Sequence, residues 1–484
     1  MTQLNRREAL AVAAGLAVAV PARAAAAEEK TAIVRLSVLG DEAFAPTEAG
    51  DLVAGDYDAA KRVGKLGRLA CPALAPAGSN FRDYVEGTAR ERTTRLGDAP
   101  VVVMVHGFLA DPREGVRPDA PQRTNNPHDF SYHYSNGPGP YWRHTASWPL
   151  GLGFAERDGG AAGLAVAFGW NSTPDLLIEG LGSALAAARD RLTWADLLAV
   201  PADLLELAAA TPAIVAAAKA IPVPMSVGRV RQGVERLDDL LTAVEVPLTK
   251  LGDRLPDVYR EPYERADRAA WVLVNALRSV AAALPGRPID FFCHSLGSRV
   301  VVQALHRLAA EAQKPGGGEL KALLGRVGRV VIVGGAEYTA PTRRMLAAVR
   351  KVRPSGPSFY NFMARRDRVL GLLAQRFHPV ELGLRRVVGL CGLTPGEQDP
   401  DWLDLQLDAD ADGAHPLNAW LKPRGLTVEG VHLTGVLNHW HYFTGAGNME
   451  VFRAILRDRE AWAIARLREQ RIPERGGVTW PAED

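Results

Sequence analysis

Short apolar runs rich in β-branched residues alternate along this 484-residue chain with stretches of helical character. The runs are mainly apolar rather than alternating, which is typical of strands that are buried on both faces of a sheet. Strands that alternate with helices indicate a parallel sheet covered by helices, so the sequence predicts an α/β fold. We place strands at Val101–Val105, Leu164–Phe168, Ile289–Cys293, Val327–Val333 and Phe359–Met363, and helices at Ala266–Leu284, Ser298–Gln313 and Pro341–Lys351. The run Thr31–Leu39 alternates more, and we predict that it is an antiparallel edge strand.

Two insertions interrupt this pattern. Residues 110–160 are rich in Pro, Gly, His and aromatic side chains, which predicts a long ordered loop with little regular structure. Residues 174–260 are rich in Ala and Leu and are punctuated by prolines, which predicts four or five short helices. We expect these helices to form a cap over the core of a single domain that comprises residues 28–484.

One segment carries a chemical signature. Residues 289–300 read IDFFCHSLGSRV, a strand that leads directly into a helix. A turn this tight strains the backbone of Ser295, so small residues are needed two positions before and after it, where Cys293 and Gly297 stand. The new helix directs N–H groups and positive dipole toward an anion at the serine. The alternative is an ordinary serine at a helix N-cap.

This turn resembles the nucleophile elbow G-x-S-x-G of the α/β-hydrolases, with Cys293 in place of the first glycine. The internal His-Ser-Leu-Gly is the form of many lipase-like members. The resemblance implies a mainly parallel sheet flanked by helices, with Ser295 as nucleophile and no cofactor. It also implies an oxyanion hole formed by the N–H of Leu296 and that of Phe108, which follows the His106-Gly107 pair after the first predicted core strand.

The family order of Ser, then acid, then His predicts the other two members of a catalytic triad. Asp367 follows the predicted strand Phe359–Met363 within R-x-D-R-V-L and is the expected acid, with Glu337 as the alternative. A His-Trp pair near the C-terminus resembles the His loop of lipase-like members. This pair favours His439 as the base, and His441 is the alternative.

The triad predicts a serine hydrolase that cleaves carboxylic esters of small molecules or lipids, in the manner of a lipase or carboxylesterase. Thioesterase, amidase, peptidase and acyltransferase activities use the same triad and stay open, as does a non-catalytic binding protein of the same fold. Trp170 and Trp440 are candidate substrate-binding residues. The sequence does not indicate the oligomeric state.

Other partner classes have little support. The net charge of +2 predicts no general attraction to nucleic acid. The pair His439-x-His441 lacks a third metal ligand at suitable spacing, so we expect no metal. No later segment has the length and apolarity of a membrane span.

The N-terminal residues read as an export signal. Arg6 and Arg7 precede an apolar run of about a dozen residues, Ala9–Val20, which is followed by A-x-A cleavage sites. The arginine pair resembles a twin-arginine signal, so we expect residues 1–27 to direct the protein to the periplasm or outside the cell. Among the three cysteines, Cys71–Cys391 is the one disulfide considered, and unpaired thiols are the favoured alternative.

Overall fold

The computed structural model describes residues 33–39, 42–44, 69–70, 83, 86–87, 90, 100–108, 110–112, 126–132, 147–154, 163–174, 255–367, 369–371, 386–393, 398–408, 415–431 and 439–474. The predicted export signal, Cys71 and nearly all of the predicted cap lie outside these residues.

Nine strands form one sheet in the order β3-β2-β1-β5-β4-β6-β7-β8-β9. The strands are β1 Ile33–Leu39, β2 Glu42–Phe44, β3 Leu69–Ala70, β4 Val101–Val105, β5 Leu164–Trp170, β6 Ile289–His294, β7 Val327–Val333, β8 Ser358–Met363 and β9 Trp402–Gln406. Seven of them, β1 and β4 to β9, pair in parallel, and β2 and β3 join through antiparallel pairing. The chain thus has an α/β architecture, and all five predicted core strands are confirmed.

The prediction for Thr31–Leu39 is wrong in two respects. The strand β1 pairs in parallel with β5 along its length, and β2 lies on its other side, so β1 is neither antiparallel to the core nor at the edge. The alternation has a physical cause. Arg35 and Ser37 are buried polar residues that point into the protein, where they bond to the main chain of Tyr132 and to the ring of His128.

The described helices are α1 Pro127–Phe130, α2 Trp148–Gly151, α3 Leu255–Ala283, α4 Gly297–Ala312, α5 Gly318–Arg326, α6 Thr339–Val352, α7 Val388–Cys391, α8 Pro416–Leu421, α9 His441–Thr444, α10 Asn448–Arg457 and α11 Ile464–Glu469, with a 3₁₀ turn at Lys422–Arg424. The three predicted helices correspond to α3, α4 and α6. The helix α3 begins well before Ala266, and Pro262 lies inside it. A proline removes one helical N–H and weakens the local signal, whereas tertiary packing of Tyr259 holds these first turns.

The sheet separates two hydrophobic cores, because successive side chains of a strand point to opposite faces. In β4, Val101, Val103 and Val105 join the core beneath α3 to α6, whereas Val102 and Met104 join the core beneath α10 and α11. Both sets are fully buried, which explains why β4 reads as an unbroken apolar run. The carboxyl ends of the parallel strands meet at one edge, where ligands of such sheets bind.

Candidate active site

Ser295 occupies the turn between β6 and α4, as predicted, and its backbone is left-handed with φ 52°. A side chain at positive φ is strained. Three donors hold the turn by bonding to the Ser295 carbonyl: the N–H of Ser298 at 3.0 Å, its hydroxyl at 2.7 Å, and the N–H of Ala336 at 3.0 Å. The strained conformation is therefore fixed from both the helix and the exit of β7.

Two glycines allow the exit of β4 to pass against this turn. A Cβ on Gly107 would lie 2.5 Å from the Cβ of Ser295, and a Cβ on Gly297 would lie 2.4 Å from the carbonyl oxygen of Val105. Contacts below 3 Å do not occur between real carbon atoms at such sites, so neither position admits a side chain without movement. The peptide that carries the Phe108 amide is thus next to the Ser295 side chain.

The structure brings Asp367 and His439 together. Asp367 follows β8 and is fully buried, and its Oδ2 lies 2.6 Å from Nδ1 of His439, which is 5% exposed. The other carboxylate oxygen accepts the N–H of Leu370 at 3.1 Å. Nε2 of His439 is buried and has no hydrogen-bond partner among the described residues. In the neutral ring with its proton on Nδ1, Nε2 is the nitrogen that can accept a proton, and no hydrogen bond joins it to Ser295 in this structure.

His294 connects this pair to the serine turn. It directly precedes Ser295, and its Nε2–H donates to the carbonyl of His439 at 3.0 Å. The two rings have centroids 4.5 Å apart. Burial lowers the pKa of His294 well below its usual range, so the ring is neutral. The sequence analysis gave His294 no role, although its place within the His-Ser-Leu-Gly motif was visible.

The two predicted oxyanion donors lie on either side of the serine turn. Leu296 is the N-cap of α4, and Phe108 follows Gly107 at the exit of β4. Among the turn and loop hydrogen bonds of the described residues, neither amide donates. Both N–H groups are therefore available to an anion next to Ser295.

His106 holds the main chain at the exit of β4. Its Nε2 accepts the N–H of Trp170 at 2.9 Å, and its carbonyl accepts the indole N–H of the same residue at 3.1 Å. The two rings stack with centroids 5.7 Å apart. Trp170 is 1% exposed and packs in the core, and its role as a substrate-binding residue stays a prediction.

Glu337 is not the partner of the candidate base. Its fully buried carboxylate accepts bonds from Arg299 at 3.0 Å, the Tyr263 hydroxyl at 2.9 Å, Gln303 at 3.1 Å and the N–H of Tyr338 at 2.8 Å. This carboxylate is fully engaged between α3 and α4. The structure thus places Asp367, and not the alternative Glu337, against a histidine.

The remaining candidates lie beside His439. His441 begins α9, and both it and Trp440 are partly buried. Trp440 packs against the core beneath α10, and its role as a substrate-binding residue stays a prediction. The carboxylate of Asp367 contacts His439, so the geometry favours His439 over His441 as the base.

Aromatic residues of the 110–160 insertion pack beneath the site. The hydroxyl of Tyr132 accepts the N–H of His106 at 2.8 Å and lies 3.0 Å from the carbonyl of Met104. Trp148 is fully buried and packs edge-on against Phe292 and His294. Between 110 and 160, the described residues therefore include core side chains as well as two single-turn helices.

Among the described residues, no group of His, Cys, Asp or Glu is arranged to hold a metal ion. None of their helices combines the length and the apolarity needed to cross a membrane. Cys293 is buried, and burial raises the pKa of its thiol.

Comparisons of the chain with protein-family models, with curated proteins and with solved structures found no match. The site must therefore be interpreted from its own geometry.

Proposed function

We propose that this chain is a serine hydrolase of the α/β-hydrolase type, which cleaves carboxylic esters through an acyl-enzyme on Ser295. The observation that carries the proposal is the assembly at one sheet edge of a serine at φ 52° and a buried Asp367–His439 pair with a free Nε2. His294 directly precedes Ser295 and bonds to the carbonyl of His439, which ties the pair to the serine turn. A serine that only caps a helix would need neither partner.

The strand order adds support from topology. β4 and β6 are neighbours in the sheet, and the chain leaves β4 toward β5 but leaves β6 toward β7, so these two connections run in opposite directions along the sheet. Such a reversal creates a crevice at the carboxyl ends of the strands, where ligands bind in open α/β sheets. Phe108 and Ser295 follow the two strands that border this crevice. The order Ser295, Asp367, His439 along the chain is also that of the α/β-hydrolases.

In the proposed mechanism, the same residues act in both half-reactions. Ser295 attacks the ester carbonyl while His439 takes its proton, and the N–H groups of Phe108 and Leu296 stabilise the oxyanion. His439 returns the proton to the leaving alcohol, and Asp367 stabilises the imidazolium through Nδ1. Water then attacks the acyl group by the same route and releases the acid. No cofactor takes part in these steps.

A panel of p-nitrophenyl esters of graded chain length tests this proposal. We expect hydrolysis by the wild type, loss to the background rate in Ser295→Ala and His439→Gln, and a kcat about 10⁴-fold lower in Asp367→Asn. His441→Gln is the matched control and should retain activity. Activity on thioesters, amides or acyl acceptors without ester hydrolysis would favour the other activities of this triad. Full activity in Ser295→Ala would contradict the proposal.

We also propose that the protein is exported, on the basis of the residue pattern at 1–27. Expression in a bacterial host should yield a mature chain that begins near residue 28, as read by N-terminal sequencing. Substitution of Arg6 and Arg7 by Lys should block processing if the twin-arginine route is used. If the wild-type protein stayed in the cytoplasm of the host as a full-length chain, this proposal would be contradicted.

A further inference from the structure

The carbonyl of Gly107 receives two hydrogen bonds at the exit of β4. Nδ1 of His106 lies 2.9 Å from this oxygen, and the hydroxyl of Ser172 lies 2.8 Å from it. The Ser172 oxygen itself accepts the N–H of Ala110 at 2.8 Å, so its proton is free to donate. The Ala110 carbonyl is a second acceptor for that proton, at the longer distance of 3.1 Å.

The tautomer of His106 follows from its other nitrogen. Nε2 accepts the main-chain N–H of Trp170 at 2.9 Å, so it carries no proton, and the single proton of the neutral ring is on Nδ1. Burial lowers the pKa of His106 to about 3, which keeps the ring neutral at neutral pH. Nδ1–H therefore donates to the Gly107 carbonyl.

This pair of bonds determines where the Phe108 amide points. The described peptide bonds include no cis bond, and in a trans peptide the carbonyl and the following N–H point in opposite directions. The Gly107 carbonyl faces Ser172 and His106, so the N–H of Phe108 faces away from them. The α-carbon of Gly107 lies against Ser295. Without these two hydrogen bonds, the peptide between Gly107 and Phe108 could rotate easily, because glycine has few conformational restrictions.

We propose that Ser172, together with the His106 ring, is a positioning residue that orients the Phe108 N–H as an oxyanion donor. The inference rests on the proposed function, and it gives a role to a buried serine after β5 that the sequence analysis did not consider. Ser172 touches no reacting atom. It acts by keeping one amide in place before substrate arrives, which is how an oxyanion hole avoids reorganisation during the reaction.

The test compares Ser172→Ala with Ser172→Thr, with Ser279→Ala as the control at another buried serine. Loss of one oxyanion donor typically lowers kcat about 10²- to 10³-fold, and a loosened donor should cost less. We expect kcat in Ser172→Ala to fall about 10- to 100-fold with KM nearly unchanged, and the rate of labelling by a fluorophosphonate to fall in parallel. Ser172→Thr retains the hydroxyl and should recover most of the rate, and Ser279→Ala should match the wild type.

The outcomes separate the two proposals. If the wild type is labelled at Ser295 but Ser172→Ala keeps its full kcat, or loses activity only through KM, the positioning role is overturned and the hydrolase proposal stands. Equal loss in Ser172→Ala and Ser172→Thr would likewise overturn it, because the hydroxyl would not be the group that matters. A wild type that is neither labelled nor active would overturn both proposals.

Discussion

The backbone of Ser295 carries a conformational cost. A side chain in the left-handed region costs about 1–2 kcal/mol relative to the ordinary helical conformation. Three hydrogen bonds to the Ser295 carbonyl keep the residue there. Strain that is held by so many neighbouring groups is typical of functional sites. In the proposed function, this conformation presents the nucleophile at the end of β6.

This strain predicts the order of stability of two inactive variants. Glycine adopts positive φ without cost, so Ser295→Gly should have a free energy of unfolding about 1 kcal/mol larger than that of Ser295→Ala, as measured in urea. Arg471, at φ 55° and away from the site, is the matched control, and the same comparison there should have the same sign. Equal free energies of unfolding for the two Ser295 variants would show that the backbone of Ser295 is not strained.

Gly107 should be intolerant of even one added carbon. A Cβ at this position would meet the Cβ of Ser295 at 2.5 Å, so the nucleophile or the Phe108 amide must shift. A misplacement of about 1 Å costs roughly 10²-fold in rate, and we expect Gly107→Ala to lose at least this much kcat. Gly318→Ala, at a site where a Cβ meets nothing within 4 Å, should be unaffected. Normal ester hydrolysis by Gly107→Ala would contradict the described packing.

At the scale of elements, a buried ion pair joins α4 to the exit of β7. Arg299 lies 3.0 Å from the fully buried Glu337, and its guanidinium stacks 3.4 Å from the ring centre of Tyr263 on α3. Its charge is compensated by an acid from a distant part of the chain, which residue-by-residue interpretation cannot detect.

Removal of one partner of this pair should be costly. Glu337→Gln would leave Arg299 without a buried counter-charge, and such changes destabilise proteins by about 3–5 kcal/mol. Glu460→Gln is the control, because the Glu460–Arg466 pair is exposed and worth about 0–1 kcal/mol. Urea unfolding of both variants measures the difference. A loss below about 1 kcal/mol in Glu337→Gln would contradict a supporting role for the pair.

The strands that the sequence predicted correctly could be recognised from the residues of each strand alone. The five core strands are mainly apolar runs buried on both faces, and the signal for each lies within the run itself. The strand β9 was missed because polar and apolar residues alternate along Trp402–Gln406. Its Asp404 carboxylate is buried and accepts bonds from Asn361 and the indole of Trp402. The pairing of β1 was missed for the same reason: Arg35 has its partner at Tyr132, far along the chain.

The candidate site was predictable in part. The motif around Ser295 and the strand before Asp367 are local features, and the structure brings Asp367 to His439 as the order of residues suggested. The local His-Trp pair favoured His439 over His441, and the contact with Asp367 that distinguishes the two histidines in the structure spans 72 residues. The roles of His294 and Ser172 were hidden, since each acts through a hydrogen bond to a distant main-chain atom.

At the scale of the whole molecule, buried histidines make stability depend on pH. Burial lowers the pKa of His106 to about 3, whereas the unfolded chain has the ordinary value near 6.5. The unfolded state therefore takes up the proton first, so this stability is complete above about pH 6.5 and is lost as the pH falls toward 3. Buried Asp290 and Asp408 have raised pKa values and act in the opposite direction.

A variant isolates the histidine contribution from these opposing groups. Between pH 7 and pH 5, the wild type should lose about 2 kcal/mol more free energy of unfolding than His106→Asn. His306→Asn, at a partly buried ring, should change the dependence less. Urea unfolding at both pH values gives the comparison. Parallel pH dependences of wild type and His106→Asn would show that His106 is not held neutral.

The central claim is that Ser295 is an activated nucleophile. The most direct measurement is to treat the folded protein with a fluorophosphonate and to locate the modified residue by mass spectrometry of its peptides. We predict one adduct per chain on Ser295, none in Ser295→Ala, and much slower labelling in His439→Gln, because the base that takes the serine proton is gone. Labelling that persists in Ser295→Ala, or a wild type that stays unmodified, would contradict the account.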